Sequence, residues 1–564
     1  MDTLWTAKVD KQCPLPEYPR PQMARKNWIN LNGPWDYAIN TSSKFPTSFD
    51  GVITVPFSPE SELSGVGISL KKNEFLWYRR EVKLPDSFAG KRLLLHFGAV
   101  DQTASVWVNN TLAVTHSGGY LPFSADITEA VTEDTFVITV RVTDITDNGS
   151  FTRGKQKTKK GGIWYTPQSG IWQTVWLEAV PDVYIKSIKV TPDFDNSLVS
   201  VSAELSAEAP AYAWFDGKYY QLPAEIPVTD FIPWTPETPK LYGLGVVCGD
   251  DAVQSYFAMR KFSVGTDDKG IKRLFLNNKP YFHNGVLDQG YWPDGLYTAP
   301  TDEAMIHDIS TMKSMGFNML RKHIKIEPLR WYYHCDRLGM LVWQDMPNGG
   351  GKYNTAVVTA PLFNGIHLKD DKYGLFARKD FEGRKAFISE VKDAVTLLYN
   401  TPCIAMWVLF NEGWGQFDSA KLLDIVRHLD PTRTIDHASG WHDQGISDVC
   451  SKHVYFKKYK FKADKYDRAV VLSEFGGYSH SVRGHRYSKK KFGYKEFEMP
   501  VQYEIGIEDL YKEEIFPAIE KGLSAAVYTQ LSDVEEEING LMTYDRKVNK
   551  LAPDVMNGLV HFQF

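Results

Sequence analysis

The chain has 564 residues, and because single hydrophobic cores stop growing at roughly 250–300 residues, several domains are expected. Its 43% hydrophobic and 24% charged residues are typical of a globular protein. The net charge of −5 argues against nucleic acid as a partner.

The cysteines and the apolar stretches exclude further classes of protein. Five cysteines lie scattered without the paired spacing of a zinc site, so neither structural zinc nor a disulfide framework is expected. No apolar stretch approaches the roughly 18–20 residues that cross a membrane, and the first residues lack the apolar segment of a signal peptide. We therefore expect no membrane association and a cytoplasmic location.

Residues 1–181 carry the pattern of a β-sandwich. Short apolar runs are separated by Gly, Asp, Asn and Pro clusters, and alternation is clear in RLLLHFGAV (92–100) and TFVITVRVT (135–143). Residues 182–266 begin a second β pattern, whose length of about 85 residues fits a smaller, immunoglobulin-like sandwich. The Pro-rich stretch 233–240 is predicted to be a connection, because proline cannot donate within a central strand.

From residue 267 to 564 the pattern changes to alternating strands and helices. Helical patterns include 302–316, with Asp302 as the expected N-cap and Gly316 just past the end, and 387–400. Eight such strands predict a (β/α)₈ barrel; a doubly wound sheet is the alternative, but no Gly-rich phosphate loop follows any strand. The predicted strands are 281–286, 317–323, 340–346, 404–412, 432–439, 448–455, 469–477 and 525–533.

Two of these strands run apolar and then end in a glutamate. IAMWVLF is followed by Asn411 and Glu412, and AVVLS is followed by Glu474. The active site of such a barrel lies at the C-terminal ends of its strands, and a carboxylate leaving a buried strand is costly unless it is hydrogen-bonded there. Two carboxylates in one pocket suit glycoside hydrolysis, in which one protonates the leaving oxygen and the other attacks the anomeric carbon. An Asn beside the acid can bind a sugar hydroxyl.

The chain resembles glycoside hydrolase family 2 over essentially its whole length. The resemblance implies an N-terminal sugar-binding-like jelly roll (1–181), an immunoglobulin-like sandwich (182–266) and a catalytic TIM barrel (267–564). FNEGWGQ resembles the acid/base motif of the family, and SEFGG its nucleophile motif. The other matching segments are NLNGPWDY, VPFSPE, WYRREVKLP, SGIWQTVWLE, WTPETPKLYGL, LNNKPYFHNGV and FNMLRKHIKIEPLRWYYHCDRLGMLVWQD.

The resemblance implies a role for individual residues of a retaining exo-glycosidase. Glu412 is expected to be the general acid/base and Glu474 the nucleophile, with Asn411 beside the reacting centre. Tyr455 is expected to hydrogen-bond the nucleophile, and Arg321 to hold its charge. Further candidates on the substrate side or at strand ends are His323, Asp345, Asp288, Trp441, His453 and Gln530. No group of His, Asp and Glu has metal-ligand spacing, so no metal or other cofactor is expected.

The sugar is left open by departures from the family pattern. β-Glucuronidases of the family carry an Asn-x-Lys-Gly element that reads the sugar carboxylate, and 531–547 shows nothing like it. The WQD element at 343–345 resembles one in the β-mannosidases of the family, but their acid/base region differs from FNEGWGQ. The magnesium ligands of the large β-galactosidases are not recognisable in this sequence. The chain resembles short, three-domain members of the family that are often labelled β-galactosidase-like, so a neutral pyranoside, above all a β-galactoside, is expected. Galacturonidase, arabinosidase, glucuronidase and mannosidase activities are the alternatives.

Two basic runs bear on that choice. RGKQKTKKGG (153–162) is predicted to be a solvated loop. RGHRYSKKK (483–491) comes after the nucleophile strand and is predicted to be a solvated lid or a subunit contact, with the reading of an anionic sugar as the alternative. A non-catalytic carbohydrate-binding protein would not need the paired glutamates. The expected partner is thus an oligosaccharide or glycoside substrate, and a homo-oligomer is possible.

Overall fold

The computed structural model describes residues 1–560, and buried hydrophobic side chains form three separate clusters within them. One cluster lies between Leu31 and Ala179, and a second between Ile185 and Met259. The third fills an eight-stranded barrel and extends into the segments that pack on it. Three cores agree with the expected pair of sandwiches and a barrel. We propose domain boundaries near residues 181 and 266, between these cores.

The first core lies between two antiparallel sheets, with strand orders β1-β12-β5-β9 and β3-β2-β4-β10-β7-β8. In β10 the alternate residues Phe136, Ile138, Val140 and Val142 are buried, as the alternating pattern predicts. The strands are β1 (Trp28–Asn30), β2 (Gly33–Asn40), β3 (Gly51–Val55), β4 (Phe75–Lys83), β5 (Arg92–Phe97), β6 (Val100–Asp101), β7 (Thr103–Val108), β8 (Thr111–Ser117), β9 (Phe123–Asp126), β10 (Thr135–Thr143), β11 (Gly170–Ile171) and β12 (Val175–Val180).

The second core also lies between antiparallel sheets, of orders β13-β14-β17 and β16-β15-β18-β19, and a three-stranded sheet leads from it to the barrel. The Pro-rich connection forms no strand, as predicted, and its Trp234 is buried in the barrel cluster. The strands are β13 (Ile185–Asp193), β14 (Leu198–Leu205), β15 (Tyr212–Phe215), β16 (Lys218–Gln221), β17 (Ala224–Pro227), β18 (Tyr242–Cys248), β19 (Asp251–Phe257), β20 (Phe262–Thr266), β21 (Lys272–Leu276) and β22 (Lys279–Pro280).

All eight predicted barrel strands are present and pair in parallel, in the order β27-β26-β25-β24-β23-β32-β29-β28. The end strands β27 and β28 lie beside each other and nearly close the barrel. Nearly all residues of these strands are buried, because the barrel interior is packed and helices cover most of the outer face. They are β23 (His283–Asp288), β24 (Met319–Lys322), β25 (Leu341–Asp345), β26 (Ile404–Val408), β27 (Thr434–Asp436), β28 (Val449–Val454), β29 (Ala469–Gly476) and β32 (Leu523–Thr529), with a short pair β30 (Tyr478–His480) and β31 (Lys495–Phe497) outside.

Helices connect most of the barrel strands, although the described residues form none between β27 and β28 or between β28 and β29. None of the helices described is long and apolar enough to cross a membrane. The five cysteines are free. The α-helices are α1 (Asp302–Ser314), α2 (Leu329–Leu338), α3 (Thr355–Val358), α4 (Pro361–Asn364), α5 (Phe381–Leu398), α6 (Ser419–Leu429), α7 (Pro500–Leu510), α8 (Phe516–Lys521) and α9 (Pro553–Val560). Short 3₁₀ turns occur at Thr6–Lys8, Pro21–Met23, Asp86–Phe88 and Thr128–Ala130, and a π turn at Tyr511–Ile515.

Two local predictions were wrong. The N-cap of α1 is Thr301, whose hydroxyl accepts from the amide of Ala304, while Asp302 lies one residue inside the helix. The segment 153–162 is not a solvated loop throughout, because Arg153 and Lys155 are buried. Arg153 donates to the carbonyl of Gly350 at 2.6 Å, which fixes this part of the first sandwich to the barrel.

Candidate active site

Two glutamates meet where strands of the barrel end. Glu474 lies in β29, and Glu412 lies four residues beyond the end of β26. One carboxylate oxygen of each, together with one ring nitrogen of His453, all lie within 4.8 Å of one another. The backbone of Glu412 has φ 50°, a left-handed conformation that is costly for a residue with a side chain and persists where surrounding contacts hold it. Its amide donates to the carbonyl of Ser439 at 2.9 Å, which holds this turn.

Glu474 is surrounded by donors and positive charge. Arg321 Nη1 donates to Glu474 Oε1 at 3.0 Å, and the Tyr455 hydroxyl donates to the other oxygen. Burial opposes the charge of Glu474, but the attraction of His453 and then of Arg321 outweighs it and lowers the pKa to about 2. Glu474 is therefore ionised at neutral pH.

Glu412 has the opposite environment. Burial raises the pKa of this carboxyl, the hydrogen bond with His453 opposes the rise, and the negative charge of Glu474 adds to it. His453 Nδ1 lies 2.9 Å from Glu412 Oε1, and its Nε2 lies 3.0 Å from the Ser439 hydroxyl. The pKa of Glu412 is thus raised and that of Glu474 lowered, as a general acid and a nucleophile require.

Arg321 organises the floor of the site. Its Nε and Nη2 donate to the two oxygens of Asp345, each at 3.0 Å, and Nη2 also donates to Asn411 Oδ1 at 2.8 Å. His323 Nδ1 lies 2.8 Å from Asp345 Oδ2. The Asn411 Nδ2 atom is buried and has no partner among residues 1–560. The sequence analysis had placed all four residues at the site, and the structure brings them together.

Three of the weaker candidates are engaged with neighbouring protein groups. Asp288 accepts from Lys322 Nζ at 2.6 Å, and the side chain of Gln530 donates to Asn539 at 2.9 Å. Trp441 donates from its indole to the carbonyl of Val358, and its ring centroid lies 5.4 Å from that of His453. Trp441 therefore packs beside the histidine that contacts both glutamates, whereas Asp288 and Gln530 hydrogen-bond to neighbouring protein groups.

Lys155 and its neighbours at the site were missed by the sequence analysis. Lys155 Nζ lies 3.9 Å from Glu537 Oε2, an oxygen that also accepts from the Tyr165 hydroxyl. The charge of Lys155 contributes to lowering the pKa of Glu412, against the larger effect of burial that raises it. Lys155 comes from the first sandwich and Glu537 from the segment after β32, so only the fold brings them together. The only sequence signal was the basic run itself.

An aromatic wall forms where the same sandwich segment meets the barrel. The Trp164 ring lies 5.2 Å from that of Trp414, which belongs to the acid/base motif, and 6.1 Å from that of Tyr353. Trp414 in turn lies 6.2 Å from the ring of His323.

The second basic run, 483–491, differs from the first run, because its Arg483 and Arg486 are exposed.

Comparisons with known proteins identify the family. The model described as "Glycosyl hydrolases family 2, TIM barrel domain" matches residues 269–484, and "Glycosyl hydrolases family 2, sugar binding domain" matches residues 68–181. Together they account for more than half of the chain. The chain belongs to glycoside hydrolase family 2. Two carboxylates at strand ends are what this family assignment leads one to expect.

Relatives within glycoside hydrolase family 2 carry two different activities in their names. A β-galactosidase of Thermoanaerobacter pseudethanolicus is 23% identical over 63% of this chain and 47% of its own length. A β-glucuronidase of Rattus norvegicus is 23% identical over 65% of this chain and 59% of its own. The chain thus spans about half the length of the curated relatives that it matches.

Solved structures of the family share the fold. A β-glucuronidase from an uncultured Clostridium superposes with a TM-score of 0.75 at 18% identity, covering 95% of this chain and 98% of its own. A β-galacturonidase of the family from Eisenbergiella tayi, bound to galacturonate, gives 0.73 at 16% identity, covering 96% and 99%. At this identity the likeness concerns the fold, and the sugar has to be argued from the site.

Proposed function

We propose that the protein is a retaining exo-glycosidase that removes a terminal non-reducing sugar by double displacement. The observation that carries the proposal is the pair Glu412 and Glu474, within 4.8 Å through their oxygens and with pKa values shifted in opposite directions. Membership of glycoside hydrolase family 2 supports it.

In the first step Glu474 Oε attacks the anomeric carbon while Glu412 donates its proton to the leaving glycosidic oxygen. The carbon–oxygen bond to the leaving group breaks, and a glycosyl ester of Glu474 forms. In the second step Glu412, now ionised, takes a proton from water, and the resulting hydroxide displaces Glu474 from the sugar. Two displacements at one carbon retain its configuration.

The spacing of the carboxyls supports retention. Retaining enzymes hold them about 5–5.5 Å apart, whereas inverting enzymes need about 6.5–9.5 Å for a water between them. Oxygens within 4.8 Å leave little room for such a water.

The surrounding groups have roles that follow from their contacts. Arg321 and Tyr455 stabilise the ionised Glu474 before the attack and its release as a carboxylate in the second step. The unpartnered Asn411 Nδ2 is proposed to donate to a sugar hydroxyl beside the anomeric carbon. A buried donor that the substrate satisfies favours that substrate over one lacking the hydroxyl.

A neutral pyranoside, with a β-galactoside first, is the proposed substrate. The cations around the catalytic pair already face carboxylates: Arg321 binds Asp345 and Glu474, and Lys155 faces Glu537. A sugar carboxylate would have to displace one of these pairs, which costs more than binding a hydroxyl. β-Galacturonides are the matched alternative, because the contact between Lys155 and Glu537 is the longest of these, at 3.9 Å.

The test is azide rescue of two variants on activated aryl glycosides. Glu474→Ala is expected to abolish turnover, and azide to restore it as a glycosyl azide of inverted configuration. Glu412→Ala is expected to keep glycosylation by substrates with good leaving groups and to give an azide of retained configuration. The exposed Glu496 supplies the control Glu496→Ala, which should behave as wild type. Interchanged azide configurations would show that the roles are reversed.

A further inference from the structure

Lys155 is a buried lysine whose ammonium group has unused donors. Its side chain is 7% exposed, and the carboxylate oxygen that it faces, Glu537 Oε2, lies 3.9 Å away, too far for a hydrogen bond. The other interaction of its Nζ atom within residues 1–560 is with the ring of Tyr165, whose centroid lies 5.5 Å away. An ammonium group carries three donors, and a buried polar group without acceptors is costly. The donors of Lys155 are therefore available to a ligand that brings acceptors.

Glu537 holds this lysine at the point where the first sandwich meets the barrel. Its carboxylate is buried; Oε2 accepts from the Tyr165 hydroxyl, and Oε1 accepts from Asn539 Nδ2 at 3.1 Å. The neighbouring Glu535 binds the same sandwich segment, because it accepts from the amide of Thr166 at 2.8 Å. The negative charge of Glu537 is thus fixed in place beside the ammonium group.

A chain of hydrogen bonds connects Glu537 to the proposed nucleophile. Tyr455, which donates to the nucleophile, has its hydroxyl 3.1 Å from Thr529 Oγ1 at the end of β32. The next residue, Gln530, donates to Asn539 at 2.9 Å, and Asn539 donates to Glu537. The lysine that faces Glu537 therefore belongs to the same wall of the site as the nucleophile.

Tyr494 completes this wall between the two groups. Its ring stacks on that of Tyr455 with 3.9 Å between centroids. The segment around Tyr494 pairs with the segment around Glu537, since the amide of Ile538 donates to the carbonyl of Phe492 at 2.9 Å. One stacked ring and one paired segment thus lead from the nucleophile to the lysine.

Lys155 lies near the catalytic pair without forming an ion pair with it. Among residues 1–560, no contact within 4 Å joins its Nζ atom to Glu412 or Glu474. Burial raises the pKa of Glu412, and the charge of Lys155 is one of the smaller effects that lower it. The two glutamates hold the anomeric carbon, C1, and Asn411 is proposed to meet the hydroxyl beside it. The ammonium group is therefore left with the part of the sugar furthest from C1, which in a hexopyranose carries the hydroxyls on C4 and C6.

We propose that Lys155 is a specificity-determining residue that donates to the C4 and C6 hydroxyls of the terminal sugar, and that the charge of Glu537 excludes a carboxylate at C6. The inference rests on the proposed function, because it names the part of the sugar that a retaining exo-glycosidase holds beyond its catalytic pair. A hydroxyl oxygen accepts from the ammonium group without adding charge. A sugar carboxylate would gain the same contact but meet a buried like charge about 4 Å further on. The substrate class is thus a neutral hexopyranoside rather than a pentopyranoside or a uronide.

The first test removes the hydroxyls from the substrate and the ammonium group from the protein. The substrates are nitrophenyl β-galactoside, its 4-deoxy and 6-deoxy analogues and the matched pentopyranoside, which lacks C6. In wild type each loss is expected to lower kcat/KM about ten- to hundredfold, the range for one hydrogen bond to a charged group. In Lys155→Met the differences among the four substrates should disappear. Ratios measured on one preparation cancel the folded fraction, so they remain defined for a variant that folds poorly.

Two results of this test would overturn the inference. One is a wild type that hydrolyses the galactoside and its deoxy analogues equally well. The other is a Lys155→Met variant that loses the same factor on all four substrates, because the lysine would then support the fold or the acid/base without touching the sugar.

The second test measures the ratio of kcat/KM for the galacturonide to that for the galactoside. Glu537→Gln is expected to raise this ratio about tenfold or more, because it removes the like charge. Lys155→Met is expected to lower it, because the attraction is lost and the repulsion stays. The exposed residues Lys159 and Glu496 supply the controls Lys159→Met and Glu496→Gln, which should leave the ratio unchanged. A shift in the same direction in both site variants would overturn the role given to Glu537.

Hydrolysis by wild type separates this inference from the proposed function. If wild type hydrolyses the galactoside but Lys155→Met keeps the differences among substrates, the inference fails and the glycosidase proposal stands. If wild type hydrolyses no nitrophenyl glycoside, the glycosidase proposal fails. Calorimetric binding of galactose and 6-deoxygalactose then tests Lys155 alone: a loss of affinity in Lys155→Met for galactose only supports its contact with the C6 hydroxyl, and equal losses for both sugars overturn it.

Discussion

At the scale of single residues, His453 is the contact that joins the two carboxyls proposed to be catalytic. It lies 2.9 Å from Glu412 and 3.5 Å from Glu474, and it lowers the pKa of both, against burial in each case. The proposed mechanism requires Glu474 ionised and Glu412 protonated, so the predicted activity extends from the pKa of the first to that of the second. Both limits are therefore set partly by one imidazole, whereas the sequence indicated only that His453 lies near a strand end.

His453→Leu is expected to shift both limbs of the pH profile of kcat/KM to higher pH. Without the imidazole, Glu474 loses an attraction that lowers its pKa, and Glu412 loses a hydrogen bond that lowers its own. Because the carboxyls interact, the limbs report the pair rather than either residue. The control is His437→Leu, a buried histidine bonded to Ser447 instead. A profile that falls in height without moving would contradict the assignment.

Removing Arg321 is expected to cost stability as well as activity. Its guanidinium is buried and binds Asp345 and Glu474, so Arg321→Met leaves two buried carboxylates without their cation. Breaking a buried pair on one side costs about 3–5 kcal/mol. Denaturant unfolding of the variant should show a loss of that size, and Arg79→Met, a partly exposed pair with Asp36, a loss of about 1 kcal/mol or less. Equal losses would contradict the structural role.

At the scale of secondary-structure elements, the barrel strands could be predicted because burial on both faces demands continuous apolar runs, as in IAMWV of β26. Glu412 and Glu474 were found for the same reason, since a charge at the end of such a run stands out. Lys155 could not be found this way. Its position depends on a sandwich segment that crosses to the barrel. The local sequence of a basic loop does not show whether the loop is buried against another domain or exposed to water. Thr301 was missed because it precedes Asp302, which is an equally good cap.

The crossing segment gives a prediction of its own. Lys155→Met is expected to lower kcat/KM on a nitrophenyl galactoside by about tenfold or more, because the buried carboxylate of Glu537 loses the positive charge that it faces. The alkaline limb of the pH profile should move to higher pH, since one influence that lowers the pKa of Glu412 is removed. Lys159 in the same segment is exposed, so Lys159→Met makes the same charge change as a control. A gain for the galacturonide over the galactoside in wild type, lost in Lys155→Met, would instead assign this lysine to a sugar carboxylate.

At the scale of the whole molecule, two of the three domains contribute residues to the candidate active site. The barrel supplies both glutamates, and the first sandwich supplies Lys155 and Trp164 to the same site. The sandwich is thus part of the candidate active site, and models of one family match both regions. Specificity for the terminal sugar is therefore proposed to depend on the interface between them.

Catalysis is expected to need no metal ion, although three side chains that can bind metals lie close together in the site. Glu412, His453 and Glu474 offer one ligand atom each within 4.8 Å, close enough to share a cation. A cation there would compete with Arg321 and Tyr455 for Glu474, and it would lower the pKa of Glu412, removing the proton that the leaving oxygen needs. Activity on the nitrophenyl galactoside should accordingly be unchanged after treatment with EDTA and dialysis, and added zinc should inhibit by occupying these three ligands. The inhibition should be weaker in His453→Leu. Activity that EDTA abolishes and magnesium restores would mean that the carboxyls hold a metal rather than a proton.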